Sequence, residues 1–385
     1  MFPPSMSSIQ ITAVGGYSEI GKNMTAIRCG DDVIILDMGV DLEKYIKVQD
    51  ERESLEKVTG AELIEANAAP NDTVIEDWKQ KVRAIVCTHA HLDHMLAIPF
   101  LAHKYKCPIY GTPFTVEMIK RIAADNRLSI GNKCKKINVN ARLKLTKDTS
   151  IELINVQHSI VQTAIVMIKH KKLKIAYANE YKFDTAPVLG SKVNEKRLKQ
   201  HKPVHALISD CIYAPEKIKM PSETVAKEML REVLEESFGN AAVFITTFAS
   251  NLARLQSIIK YGKKTKRTVI FLGRSFAKYI ETAEKLKLVN FSKDIELYPY
   301  GNQVKKKLKE IAGNREKYLV VTTGHQGEPN ALLSKLVRNE QAFRFQKGDV
   351  VIFSSKVIPT KTNVQNRHVL ERSLERQDVT ILKDV

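Results

Sequence analysis

Val86-Cys87-Thr88-His89-Ala90-His91-Leu92-Asp93-His94 places three imidazoles and a carboxylate within six positions, directly after an apolar run. Imidazole and carboxylate donors together suit zinc and related divalent ions. If the run leaves an extended strand end, His89 and His91 share one side, because strand side chains alternate with a period of two. Asp93 and His94, one turn further on, then reach round to a second ion. Two ions about 3.5–4 Å apart form the clamp that phosphoryl-ester hydrolysis uses. The bland alternative is a surface histidine cluster with Asp93 as a cap; the density of donors argues against it.

Outward from this stretch, polar side chains recur at strand ends. Upstream, Ile9–Val14 reads as a strand followed by a Gly-rich loop, Gly15-Gly16-Tyr17-Ser18-Glu19-Ile20-Gly21-Lys22-Asn23. That loop is neither a Walker A nor a dinucleotide fingerprint, so composition alone makes it a turn that brings backbone near a site. Met24–Arg28 and Val33–Leu36 form a hairpin that ends in Asp37, a turn former or a support for metal ligands. Val82–Thr88 is the strand that feeds the histidines, and Met95–Lys104 the helix after it. Downstream, strands over 151–156, 164–169 and 173–178 are followed by His158 after the first and by Asn179-Glu180 after the third.

Past a Lys-rich link, 192–202, the pattern becomes strand–helix alternation beginning at Ala206–Asp210, the signature of a parallel α/β sheet. Ser222 reads as the N-cap of a helix over 223–238, and Ser250 as the cap of the helix from Leu252. Arg274 stands at a strand end, able to fork onto phosphate. Such strand-end loops collect at the carboxyl edge of the sheet, where α/β ligands bind.

Composition narrows the class. The 385 residues suggest two domains. Lys and Arg outnumber Asp and Glu by 61 to 43, a formal charge of +18 that favours a polyanionic partner, nucleic acid before an acidic membrane. Five dispersed cysteines without a C-x-x-C pair argue against a disulfide framework or a thiolate zinc site, and for a reducing setting. No signal-like start and no membrane-length apolar run is visible, so a soluble cytoplasmic protein is expected.

The H-x-H-x-D-H run resembles the signature of the metallo-β-lactamase superfamily. Thr88–Leu101, the Gly15–Asn23 opening and the Thr323-Gly324-His325-Gln326-Gly327-Glu328-Pro329 loop resemble its ribonuclease J branch, in the archaeal form, across nearly the whole chain. That resemblance implies an αββα sandwich over 1–204, an inserted parallel α/β domain of the β-CASP type over 205–357, and the start of a return to the first domain over 358–385. It also implies a two-zinc site. His89, His91 and His158 would take one ion, Asp93 and His94 the other, with Glu180 between them where the family carries Asp. Asp37 would support the ligands, and Asp93 and Asp210 would be catalytic. By the same resemblance Ser250, Asn251, Arg254, Arg274, His325 and Gln326 line the RNA path. Family members continue into an H-x-S-G-H segment and a final histidine. Neither is present, which leaves the second ion one family ligand short. We therefore expect a chain broken off before those motifs, against the rival reading of a complete but weakened RNA-binding relative.

The resulting expectation is a metal-dependent ribonuclease, acting 5′ to 3′ from a monophosphate end with some endonuclease activity. A homodimer is expected, with no membrane partner. A small-molecule metallo-hydrolase shares the metal motifs but needs neither the second domain nor the charge.

Overall fold

In the computed structural model, which describes residues 9–51, 57–217, 219–383 and 385, the chain forms two compact units. One runs to Thr185 and includes Ser191–Met220; the other is Ala186–Gly190 with Pro221–Val385.

The first unit stacks two sheets. Six strands lie in sequence order: β1 (Ile9–Gly15), β2 (Met24–Cys29), β3 (Asp32–Leu36), β4 (Val82–Val86), β5 (Ile109–Gly111) and β6 (Cys134–Lys136). The first three pair antiparallel, and β3 to β6 run parallel. Every residue of β3 is buried, as expected for a strand covered on both faces. The second sheet holds β7 (Arg142–Lys144), β8 (Thr149–Asn155), β9 (Ala164–His170), β10 (Leu173–Ala178) and β11 (Ala206–Ser209). Ile27, Ile34, Leu36 and Val86 from one sheet meet Leu153, Val166, Ile168 and Tyr177 from the other in one core. Each such side chain contributes about 1.5–3 kcal/mol on full burial. On the outer face of the first sheet, the helix Pro113–Asp125 buries Phe114, Met118, Ile119 and Ile122.

The expected 204/205 boundary moves. Ala206–Ser209 does not open the second unit; it pairs parallel with β10 and completes the first unit's second sheet. The expected helix 95–104 is divided into Leu92–Met95, Ile98–Leu101 and a 3₁₀ turn Ala102–Lys104. Pro99, near the start of the second piece, has no N–H to continue a helix from the first. The three-residue strands β6 and β7 were not foreseen, being too short to show a period.

The second unit is a six-stranded, all-parallel sheet of β12 (Val243–Thr246), β13 (Thr268–Leu272), β14 (Glu296–Tyr298), β15 (Tyr318–Thr322), β16 (Val350–Phe353) and β17 (Thr380–Leu382), in the order β14-β13-β15-β12-β16-β17. Ser222 caps the helix Glu223–Glu235 as expected, accepting from the Thr224 amide. The helix Leu252–Gly262 is capped by Asn251 rather than Ser250, through its side chain and the Arg254 amide. The described residues of 358–385 belong to the second unit and do not open a return to the first. Leu370 and Leu374, one turn apart on the helix Lys361–Glu375, enter this unit's core, and β17 pairs with β16.

Candidate metal centre

The chemistry-bearing side chains of the first unit lie on loops that leave the carboxyl ends of its strands. Asp37 follows β3, Thr88 and His89 follow β4, His158 follows β8, Glu180 follows β10 and Asp210 follows β11. The loops are tied together by backbone. The Ala164 amide donates to Thr88 O across the two sheets (3.1 Å), and the Lys182 amide donates to Gln157 O (2.7 Å), which joins the His158 and Glu180 loops.

β4 ends at Val86, so the strand alternation expected to put His89 and His91 on one side does not operate there. They lie in a bend, with His91 as the N-cap residue of the helix Leu92–Met95. Convergence comes instead from different ring atoms. Glu180 Oε2 lies 2.7 Å from His158 Nε2, 3.2 Å from His89 Nε2 and 3.7 Å from His91 Nδ1. Glu180 Oε1 lies 3.6 Å from His94 Nε2, which is 3.5 Å from Asp93 Oδ2. Two groups able to hold a cation result, one of His89, His91, His158 and Glu180, the other of Asp93, His94 and Glu180. The longer side chain at position 180 still presents one oxygen to each group.

The donor set fits divalent cations. His89 Nε2 and His158 Nε2 each stand 3.1 Å from His91 Nδ1, all facing one carboxylate oxygen. One cation can accept all of these lone pairs, whereas one proton joins only two of them. Burial, reinforced by neighbouring imidazoles, pushes His89 and His91 below the ordinary histidine range, towards the neutral form that binds metal. His94 goes the other way. Burial opposes its charge, but Asp93, Asp37 and Glu180 together outweigh it. Glu180 is held well below the carboxylate range; burial acts against this, and His158 and His94 prevail.

A supporting layer aims these rings. Asp37 is fully buried and accepts from the Thr88 amide (2.7 Å), the Thr88 hydroxyl (3.0 Å) and His94 Nδ1 (2.9 Å). That last bond leaves His94 Nε2 facing Asp93 and Glu180. The Thr88 hydroxyl also meets His89 Nδ1 at 2.9 Å, which leaves His89 Nε2 free for a cation. Such bonds from the far ring nitrogen set tautomer and orientation. Gly39 permits the close approach: a Cβ there would stand 1.6 Å from the Asp93 carbonyl oxygen.

Sequence reasoning singled out Asp37 but passed over Asn23, Asn179 and Thr88 as individuals. Asn23 Nδ2 donates to the Asp93 carbonyl (3.1 Å) and carboxylate (3.4 Å), and Asn179 Nδ2 holds Asn23 Oδ1 at 3.1 Å. The only available signal was the Gly-rich opening that ends at Asn23, since amides and hydroxyls are too common to stand out. Asp210 is exposed, tied through its amide to Asn179 O (3.1 Å), and accepts from the Ile212 amide (3.1 Å). Partial burial, with Glu180 nearby, raises its pKa.

The residues expected on an RNA path divide differently. Arg254 is buried, with Nε on Glu223 (2.8 Å) and an NH group on Ser354 O (2.6 Å) and Val385 O (2.9 Å). Gln326 is buried, donating to Lys356 O (3.0 Å) and accepting from the Ile358 amide (2.8 Å). Ser250 and Asn251 are buried as well, Asn251 as the cap. His325 is buried edge-on against Phe248, ring centroids 3.8 Å apart, and burial lowers its pKa to about 3. All five are turned inward, Arg254 from the first turn of the helix Leu252–Gly262 and the others from the segments that follow β12 and β15. Of the six, only Arg274 is exposed, in the first turn of the helix Arg274–Lys285.

The beta-lactamase superfamily domain profile matches residues 60–233, and the profile described as "Ribonuclease J, beta-CASP domain" matches residues 240–371. Among curated relatives, ribonuclease J of Methanocaldococcus jannaschii is 36% identical over 97% of this chain and 84% of its own length. Ribonuclease J of Pyrococcus abyssi is 37% identical over 99% of this chain and 84% of its own. A crystal structure of a protein of unknown function from Enterococcus faecalis V583 superposes with a TM-score of 0.61 at 16% identity, covering 98% of this chain and 87% of that one, a likeness of fold. With these two relatives above 30% identity over nearly the whole chain, and with the metal-ligating cluster on the unit that the superfamily profile covers, the chain belongs to the ribonuclease J family.

Proposed function

We propose that this chain is a metal-dependent ribonuclease that cleaves RNA phosphodiesters with two divalent ions, zinc by preference of its donors. The observation that carries this reading is Glu180, which offers one oxygen to each of two adjacent ligand groups. His89, His91, His158 and Glu180 would hold one ion, and Asp93, His94 and Glu180 the other. When bound, such ions supply Lewis acidity to a phosphodiester oxygen and to the attacking water. Asp93, fixed by Asn23, would orient that water and accept its proton; Asp210, exposed beside the cluster, would assist proton transfer towards the leaving group. The net charge of +18 would draw in the strand, with Arg274 among its phosphate contacts. Likeness to ribonuclease J supports a 5′-to-3′ direction from a 5′-monophosphate, some endonuclease activity, a homodimer and a cytoplasmic setting.

The test uses 5′-monophosphorylated and 5′-triphosphorylated RNA, with and without chelator and zinc re-addition. We expect cleavage that needs metal and is faster on the monophosphate. Binding of RNA without cleavage at any metal loading would instead make the chain an RNA-binding scaffold, and cleavage of thioesters or lactams alone would make it a small-molecule hydrolase.

A further inference from the structure

We propose that Tyr181 and Phe183 form the surface on which one base of the bound RNA stacks, next to the phosphate that the metal cluster takes. The proposal rests on the ribonuclease reading for its ligand and on the geometry around Glu180 for its place. Glu180 follows β10, and the chain runs on in extended form, because Lys182 bridges antiparallel to Gln157. Side chains alternate along such a segment. Lys182 and Asp184 turn to one side, where they form an ion pair (3.5 Å) with Asp184 buried. Tyr181 and Phe183 turn to the other and stay 39% and 50% exposed. The two rings meet edge to face, with centroids 5.5 Å apart and planes at 86°. The Ser209 hydroxyl, one residue before Asp210, stands 3.5 Å from Tyr181 Oη. The aromatic pair thus begins one residue from the carboxylate shared by both ligand groups and reaches the strand end that carries Asp210.

The chemistry of this surface selects its occupant. An exposed aromatic pair gains free energy when its apolar area meets another flat ring. A phosphodiester drawn to the cluster carries a nucleoside on each side, so a base is tethered within one nucleotide of Glu180. Stacking tolerates any base, because every base has a π-face. It therefore adds affinity for a single strand without reading its sequence, and a duplex, whose bases already stack on each other, cannot use it. An edge-to-face pair spends one ring edge on its neighbour, so one base, rather than a run of them, is expected here.

The test measures binding of the zinc-loaded full chain to short 5′-monophosphorylated RNAs in which CH₂ replaces each O3′, so that the metal can stay bound without cleavage. One base at a time is removed along the series. One abasic position should weaken the parent by about 5- to 150-fold, the range for one stacked base. Tyr181→Ala with Phe183→Ala should weaken the intact RNA by a similar factor, and the abasic RNA hardly further. The exchange Tyr181→Phe with Phe183→Tyr, which keeps both rings, should bind as the parent does. Should the double alanine variant fail to fold, Phe183→Ala, at the more exposed ring, carries the test. An abasic penalty that is the same in parent and variant would overturn the proposal, as would the absence of RNA binding. So would a loss of bound zinc in the variant, which would place the effect on Glu180, or a change in oligomeric state, which would make the pair a contact between copies. The ribonuclease reading is judged separately, by chelator-sensitive cleavage of ordinary RNA.

Discussion

Replacing Asp37 by Asn separates the two metal groups. Asp37 lies at φ +58°, a left-handed conformation that Asn also accepts, so the backbone should hold. The Asn carbonyl oxygen can still accept from the Thr88 amide and hydroxyl. What is lost is the carboxylate oxygen that accepts from His94 Nδ1 at 2.9 Å. An amide NH₂ in that place forces Nδ1 to accept, moves the ring proton to Nε2, and blocks the atom that faces Asp93 and Glu180. Losing one hydrogen bond to a charged group costs about 1.5–3 kcal/mol, or roughly 10- to 150-fold. Removing a group that orients a metal ligand costs about 10- to 100-fold in affinity, and the two estimates agree. Zinc titration against a competing chelator should therefore find the His89/His91/His158 site within about threefold of the parent and the Asp93/His94 site weakened by about 10- to 100-fold. Two unchanged sites would refute the assignment of Asp37 as the group that sets the His94 tautomer. So would equal weakening of both sites in a variant with an unchanged urea midpoint.

Four further outcomes rest on other contacts of the fold. Gly39→Ala drives a Cβ into the Asp93 carbonyl and should cost about 3 kcal/mol or more by urea unfolding, at the upper end for overpacking. Arg254→Met, which strips Glu223 and Ser354 O of their buried partner, should cost about 3–5 kcal/mol. Arg274→Met, at an exposed position, should stay within about 0.5 kcal/mol of the parent and reduce the salt dependence of RNA binding by about one ion. Glu152 is buried; burial raises its pKa, but Arg197, His201 and Arg142 prevail and hold it below the ordinary carboxylate range. A depressed folded pKa gives stability that is present above the unfolded value of about 4.3 and is lost as pH falls through the folded one. Glu152→Gln should therefore flatten the acid limb of the urea midpoint below that pH, and an unchanged limb would exclude this cluster as its source.

Strands were legible where burial is complete. β3, β4, β9 and β10 are short apolar runs bounded by turns, and their ends put Asp37, His89 and Glu180 on loops by sequence alone. β6 and β7 were illegible, because three residues do not establish a period. β11 pairs with β10 rather than opening the second unit, since a single strand after a link carries no mark of the neighbour it will pair with. The same limit governs 358–385, whose helix reads clearly while its destination is decided by Leu370 and Leu374 entering the second core.

The cluster from His89 to His94 by itself determined the kind of donor this protein brings to a cation, because the affinity of imidazole and carboxylate for divalent ions belongs to the side chains. Tertiary structure alone decided how those donors divide. Glu180 meets both ligand groups because the loops after β4 and β10, strands of two different sheets, converge, and His94 presents Nε2 because Asp37, 57 residues away, holds its other nitrogen. Resemblance puts Arg254 and Gln326 on an RNA path, yet in three dimensions they close internal hydrogen bonds. A residue's chemistry is local, whereas whether a polar group finds a protein partner or faces solvent depends on which distant segments the core brings beside it.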